Sequence, residues 1–144
     1  MRNLEIRQYQ RGDEELIEPV EEMSRLYRNH PDYKAEWDRQ ISPERTWTGL
    51  CDGVILCLGG VLKNGIVWVI LDRNAANKKI AVMRLLREGF GLIKNCNGFI
   101  TLTTYVKKDV NALEGIFARH FGFEVVAEKK FGDFTYLEYE WRKP

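Results

Sequence analysis

The stretch at residues 66–95, IVWVILDRNAANKKIAVMRLLREGFGLIKN, decides the fold that this sequence predicts. Its first six residues are β-branched, aliphatic or aromatic, which is typical of a strand buried on both faces. A polar segment follows at 72–77. Apolar side chains then recur at helical spacing, with basic side chains largely between them: Ile80, Met83, Leu86, Phe90 and Ile93. A helix that begins after such a strand and loop can bind a phosphate-bearing ligand at its N-terminus. The same arrangement is also common where a helix only connects two strands of a sheet.

Short strands and helices alternate along the rest of the chain. The predicted strands cover 4–9, 47–50, 54–62, 66–71, 99–106, 123–126 and 134–141. The predicted helices cover 16–27, 32–40, 80–93 and 110–120, with Asp13 and Asp109 as candidate N-terminal caps. No repeat, low-complexity segment or linker divides the chain. We therefore predict one α/β domain over residues 1–144, built on a mixed sheet.

Glycines mark the turns between these elements. Asp52-Gly53 and Asn64-Gly65 predict tight turns, because Asn, Asp and Gly tolerate positive φ. Gly59-Gly60 lies inside a predicted strand and indicates either a bulge or a close backbone approach. Gly122 is placed to end the last helix.

Composition excludes several classes of function. The net charge is +1, so no overall basic field favours nucleic acid. No stretch of about 18 apolar residues predicts a membrane span, and the N-terminus lacks the apolar core of a signal peptide. Three cysteines and two histidines lack metal-ligand spacing, so we expect no metal site and cysteines that are small core residues in a reducing compartment. The expected location is cytoplasmic, in the protein's own cell or an infected host.

The order of elements resembles the GNAT superfamily of acyl-CoA-dependent N-acyltransferases. Residues 111–123, NALEGIFARHFGF, resemble the family's fourth-helix pattern, with Asn111 near the helix start and Gly-Phe just past its end. The resemblance implies a single GNAT-like domain with a mostly antiparallel mixed sheet flanked by helices. It also implies transfer of acetyl from acetyl-CoA to an amine acceptor, by direct attack in a ternary complex.

The resemblance places a cofactor loop at 71–81, where the family has a V-x-P-x-x-R-G-x-G-I-G-like pattern that binds the CoA pyrophosphate. Leu71 and Ile80 match its apolar positions. Ala76 replaces the arginine, and the glycine positions hold Asn77, Lys79 and Ala81. Lys78 and Lys79 are candidates to supply the missing charge, or begin a helix and point into water. The implied cofactor-binding residues are Leu71, Asn77, Lys78, Lys79, Ile80, Ala81 and Asn111.

No catalytic residue can be assigned from the sequence. The family's general-acid tyrosine position holds Ala118, and Phe117 beside it cannot donate a proton either. Asp72 lies where the family often has a general base, but an Asp that closes a strand also serves as a turn or cap residue. The family fold would place the thioester carbonyl near residues 70–71 and 102–103.

Phage-encoded GNAT-like proteins are similar in two respects. They keep a small-residue hairpin before the apolar fourth strand, here VILCLGG and VWVIL, and they lose the glycine-rich loop. This resemblance implies an alternative function, in which the protein acts by protein–protein interaction in virion or head assembly or against a host factor. The partner is then a phage structural or host protein, and otherwise a small-molecule or protein amine acceptor.

Overall fold

A computed structural model of the chain describes residues 3–18, 39, 41–95, 100–108, 112–131 and 134–144. Several predictions fall outside these ranges. They concern most of the helices at 16–27 and 32–40, and also Cys96, Asp109, Asn111 and the turn at 132–133.

The described residues form seven strands in two antiparallel sheets. The first sheet has the order β1-β2-β3-β4, with β1 Leu4–Gln8, β2 Thr46–Cys51, β3 Val54–Val61 and β4 Val67–Leu71. The second has the order β5-β7-β6, with β5 Thr101–Lys107, β6 Glu124–Phe131 and β7 Phe134–Arg142. Two α-helices are described, α1 Lys79–Lys94 and α2 Ala112–His120. The predicted α/β class with mostly antiparallel pairing is confirmed.

In the part of the chain that the structure describes, one parallel bridge joins the two sheets. Ile66 pairs with Thr103, and the Thr103 amide donates to the Gly65 carbonyl at 2.9 Å. Beyond this bridge, the described residues of β4 pair only with β3, and those of β5 only with β7. The opening between β4 and β5 that begins at the bridge is the β4–β5 split.

The two faces of the sheets carry different cores. On the face covered by α1 and α2, here the helix face, one cluster joins both helices to the second sheet, and another packs α1 against β2 and β3. The opposite face, here the outer face, carries a third cluster of Tyr9, Ile17, Leu50, Ile55, Leu58 and Ile70. Strand alternation therefore decides which side chains flank the split on each face.

Two details of the central segment differ from the sequence-based prediction. Val69 is 44% exposed, so β4 is not buried on both faces along its length. The reason is the split, which removes the neighbouring strand on one side. Ile80 is 72% exposed, because the buried side of α1 is rotated toward Ala81, Val82 and Leu85. These side chains contact the sheet near Cys51 and Leu56.

The glycine predictions are largely confirmed. A Cβ on Gly60 would lie 2.4 Å from the Arg45 carbonyl oxygen, so the Gly59-Gly60 pair marks a close backbone approach. The register shift in this hairpin is elsewhere, between Gly49 and Leu50. The predicted turn at 52–53 is present, and both of its residues have positive φ.

Asp13 does not cap a helix, contrary to prediction. It begins a 3₁₀ turn, Asp13–Glu15, and its carboxylate accepts hydrogen bonds from the Gln10 amide, the Thr48 hydroxyl and the Arg7 guanidinium. Because these donors lie on β1, on β2 and before the turn, Asp13 ties the start of the chain to the first sheet.

Gly122 ends α2 as predicted. Its φ is 93°, the Phe123 amide donates to the Ala118 carbonyl, and the Gly122 amide donates to the Arg119 carbonyl. This pair of bonds is a Schellman motif. Gly122→Ala is expected to lower the unfolding free energy by roughly 1–2 kcal/mol, because an L-residue is strained in the left-handed region. Urea unfolding measures this difference.

Gly91→Ala in α1 is the matched control for this prediction. A Cβ at Gly91 has no heavy atom within 4 Å, and its φ lies outside the left-handed region. This change is expected to raise stability by roughly 0.5–1 kcal/mol, since Gly is the more flexible residue in the unfolded chain. Shifts of the same sign in both variants would contradict the conformational explanation.

Candidate functional site

The connection between β4 and α1 is a short 3₁₀ helix, Arg73–Asn77, followed by Lys78. Its amides are used within the connection: Asn74 donates to the Asp72 carboxylate, Ala75 to the Asp72 carbonyl and Lys78 to the Ala75 carbonyl. No residue between 72 and 81 has positive φ. A glycine-free sequence can therefore follow this path without strain, and this path differs from a glycine-rich phosphate loop.

Asp72 is a structural cap. Its side chain is buried, and it accepts the amides of Asn74 at 2.9 Å and Glu18 at 2.8 Å. The Arg73 amide donates in turn to the Glu18 carbonyl. Both carboxylate oxygens thus hold backbone amides, and of the two interpretations of Asp72 the geometry favours the cap.

The N-terminus of α1 is the part of this connection that can bind an anion. Its first three amides, at Lys79, Ile80 and Ala81, precede the first intrahelical donor, Val82, which bonds to the Lys78 carbonyl. Lys78 at the cap position makes no side-chain capping hydrogen bond. These amides and the helix dipole create a positive potential at the start of α1.

The structure gathers most of the predicted cofactor residues at this helix start. Leu71 is half-buried and packs in the same cluster as buried Ala81. Asn77, Lys79 and Ile80 are exposed, and Lys78 is half-buried. Arg73 pairs with Glu18 at 3.1 Å and Lys79 is exposed, so neither side chain fills the split. Cofactor binding by this set stays a prediction, and Asn111 lies outside the described residues.

The position at which the resemblance implies a general-acid tyrosine, Ala118, carries no titratable side chain. Ala118 and Phe117 are both buried in the helix-face core.

The expected position of the thioester carbonyl, near residues 70–71 and 102–103, needs correction. Thr103 pairs with Ile66 at the closed end of the split, four residues before Ile70, so residues 70–71 and 102–103 are not level with each other. The register of the bridge is the reason.

A polar network on the outer face of the second sheet was missed by sequence reasoning. The Tyr105 hydroxyl donates to the Glu138 carboxylate at 2.9 Å, and the Lys129 ammonium lies 3.2 Å from the same oxygen. Lys129 also lies over the Tyr105 ring, 5.9 Å from its centroid. The three residues come from three strands, and only the pairing register of β5, β7 and β6 brings them together.

This network shifts the pKa of each member. The hydrogen bonds from Tyr105 and Lys129 lower the pKa of Glu138. Burial and the bond to Glu138 raise the pKa of Tyr105. The bond to Glu138 raises the pKa of Lys129. The carboxylate and the ammonium are therefore both charged at neutral pH.

The cysteines behave as core residues where they are described. Cys51 and Cys57 are buried and unpaired, and burial raises the pKa of Cys57 to about 12. Burial therefore disfavours a reactive thiolate at Cys57. Among the described ranges, no group of three or more His, Cys, Asp or Glu side chains could hold a metal ion. No helix in the same ranges is long and apolar enough to cross a membrane.

Comparisons with known proteins show similarity at the level of structure. No protein-family model matches the chain, and no curated protein matches its sequence. A candidate phosphinothricin N-acetyltransferase aligns with a TM-score of 0.74 at 14% identity, covering 97% of this chain and 98% of its own. A GCN5-related N-acetyltransferase from Kribbella flavida aligns at 0.70 and 13%, covering 97% and 98%.

A third similar structure contains a ligand. The yncA protein of Salmonella typhimurium, a candidate acetyltransferase solved with its cofactor acetyl-CoA, aligns with a TM-score of 0.64 at 14% identity. The alignment covers 96% of this chain and 93% of that protein. Identities this low concern the fold alone. This chain has the fold of the GNAT acetyltransferases.

Proposed function

We propose that the protein transfers acetyl from acetyl-CoA to an amine acceptor, by direct attack of the amine in a ternary complex. The observation that carries this proposal is the β4–β5 split, whose β4 side leads through the 3₁₀ helix to the uncapped N-terminus of α1. A split between two strands gives a thioester and an amine access to each other from opposite faces. The amides at 79–81 give the phosphates of the cofactor a place to bind.

The residues at the start of α1 fit the phosphate part of acetyl-CoA. The amides of Lys79, Ile80 and Ala81 point out of the helix end, and the ammonium groups of Lys78 and Lys79 add two positive charges. Exposed Val69 supplies apolar surface on the helix face of β4. Acetyl-CoA supplies a thioester whose C–S bond breaks as the amine forms the amide, with the amine proton passing to the departing thiolate.

The chain contributes mainly by positioning. The edge of β4 that faces the split has no strand partner among the described residues, so its amides are available to polarise a carbonyl. Holding two reactants in contact can supply much of a rate enhancement, and direct transfer therefore does not require a tyrosine at position 118.

Reversing the two charges at the helix start tests the cofactor site. Lys78→Glu/Lys79→Glu is expected to weaken acetyl-CoA binding at least about tenfold, because the helix end would then repel the phosphates. Isothermal titration of acetyl-CoA and free CoA measures the change. Lys63→Glu/Lys143→Glu carries the same change in net charge on exposed residues elsewhere, and is expected to bind like the wild type.

Two results of this titration would contradict the proposal. One is the absence of heat and of thermal stabilisation with wild-type protein at millimolar CoA. The other is an equal loss of affinity in both double variants, because that would indicate a general charge effect.

The second candidate function is a protein–protein interaction without catalysis, such as phage virion or head assembly or binding of a host factor. Two features favour a function without catalysis. The 3₁₀ connection differs from a glycine-rich phosphate loop, and buried Ala118 cannot donate a proton. The tryptophans do not favour it: Trp141 packs edge-on to Phe90 and Trp68 packs against the outer-face core. A phage protein of this kind would act in the host cytoplasm or the virion. This second function would be favoured if the protein did not bind CoA in the titration and a protein partner were isolated with it.

A further inference from the structure

The outer-face network already holds an ammonium group. One oxygen of Glu138 accepts the Tyr105 hydroxyl at 2.9 Å and lies 3.2 Å from the Lys129 nitrogen. The same nitrogen lies 5.9 Å from the centre of the Tyr105 ring, within the range of cation–π attraction. A carboxylate, a hydroxyl and an aromatic face are the groups that recognise an alkylammonium ion.

The network lies beside the split, on its outer face. Thr103 is bridged to Ile66, and Tyr105 is the next residue on the same face of β5. Leu102 and Val106 point to the other face, where they pack with α1 and α2. A ligand held at Tyr105 and Glu138 would therefore approach the split from the face opposite the helices.

The three side chains differ in how firmly they are held. The Glu138 side chain is 18% exposed and is oriented by Tyr105, whereas the Lys129 side chain is 48% exposed on β6, an edge strand. Exposed ion pairs contribute little to stability, so Lys129 can move into water at small cost. The carboxylate is thus a fixed receptor, and the lysine is a replaceable occupant.

We propose that Tyr105 and Glu138 form the acceptor-binding site, which takes a cationic amine in the place now held by Lys129. The acceptor role of this site rests on the acetyl transfer proposed above, whereas its ability to bind an ammonium ion does not. The charged carboxylate keeps the bound group protonated, so this group is not the nucleophile. The acceptor is therefore a diamine or a similar molecule, with one ammonium at Glu138 and a second, neutral amino group reaching the split.

The ammonium site is tested without CoA, by chemical rescue. Lys129→Ala removes the internal ammonium, and n-propylammonium has the length of the missing segment from Cγ to Nζ. At 50 mM it is expected to raise the melting temperature of Lys129→Ala by roughly 2–4 °C. The expected rise is less than about 1 °C in Lys129→Ala/Glu138→Gln, and also in Lys130→Ala, which removes an exposed neighbour on the same strand. Tetramethylammonium at the same concentration controls for ionic strength and has no N–H group.

Equal stabilisation by both ammonium ions, or a rise in melting temperature that persists in the Glu138→Gln background, would overturn the ammonium site.

The acceptor role is tested separately, by thiol release from acetyl-CoA. Cadaverine, a diamine, is expected to exceed n-butylamine at least about tenfold in kcat/KM, and Glu138→Gln is expected to abolish this preference with the acetyl-CoA Kd unchanged. Successful rescue with no acetyl-CoA binding would leave the ammonium site and remove the acceptor role.

Discussion

Asp13→Asn is expected to lower the unfolding free energy by roughly 3 kcal/mol at pH 7, because it breaks a buried ion pair on one side. Asp13 is 4% exposed, and its oxygens accept the two Arg7 guanidinium nitrogens at 2.8 and 3.0 Å. The Thr48 hydroxyl and the Gln10 amide donate to the same carboxylate. An asparagine side chain cannot accept all four bonds, and it leaves the guanidinium without the charge of its hydrogen-bonded partner. Urea unfolding at pH 7 measures the loss.

The same carboxylate makes the wild type sensitive to acid. Burial alone would raise the pKa of Asp13, but the bonds from Arg7, Gln10 and Thr48 together lower it to about 2 from the ordinary value of 3.8. The stabilisation is therefore fully present above pH 4 and is lost as the pH falls toward 2. The wild type is expected to lose about 1 kcal/mol through this group by pH 3, and Asp13→Asn is not.

Asp52→Asn is the control for these measurements. Asp52 is exposed and accepts hydrogen bonds from the Asn3 amide and, at 3.8 Å, from the Cys51 thiol, and asparagine tolerates its left-handed conformation. The control is expected to change stability by less than about 0.5 kcal/mol. If Asp13→Asn were equally mild, or if its stability fell with acid as steeply as that of the wild type, the ion pair would not have the proposed role.

Much of the fold follows from local patterns in the sequence. The turns at 52–53 and 64–65 and the Gly122 cap depend on residues that tolerate positive φ, and each was predictable from two or three letters. The order of the described strands and helices followed from hydrophobic spacing. The exposure of Ile80 and Val69 did not, because it depends on the rotation of α1 and on a gap between two strands.

The candidate site was less predictable for the same physical reason. The cofactor residues around Lys79 are contiguous, so their gathering at the helix start could be expected from the sequence. Tyr105, Lys129 and Glu138 are brought together by strand register alone, which no local pattern encodes. Asp13 was assigned as a cap because an Asp before a helical pattern usually is one, while its partner Thr48 lies 35 residues away.

Asp72→Ala is expected to lower the unfolding free energy by roughly 2–3 kcal/mol, and Asp72→Asn by about half as much. The alanine variant loses the cap of the 3₁₀ helix and the acceptor for the Glu18 amide, which connects residues 17–18 to the end of β4. Asparagine keeps one acceptor oxygen for one of these two backbone amides. Its NH₂ group would face the other amide and cannot accept a hydrogen bond from it. Urea unfolding of both variants measures these differences.

Arg73→Ala is the matched control. Arg73 also links this corner to Glu18, but its ion pair is exposed, with side chains 55% and 70% accessible, and is expected to contribute less than about 0.5 kcal/mol. A structural cap and a general base predict opposite results for Asp72→Asn. The cap predicts reduced stability, with acetyl-CoA affinity and transfer rate close to the wild type well below the melting temperature. A fully stable Asp72→Asn protein whose transfer rate has fallen 10²-fold or more would instead identify Asp72 as the base.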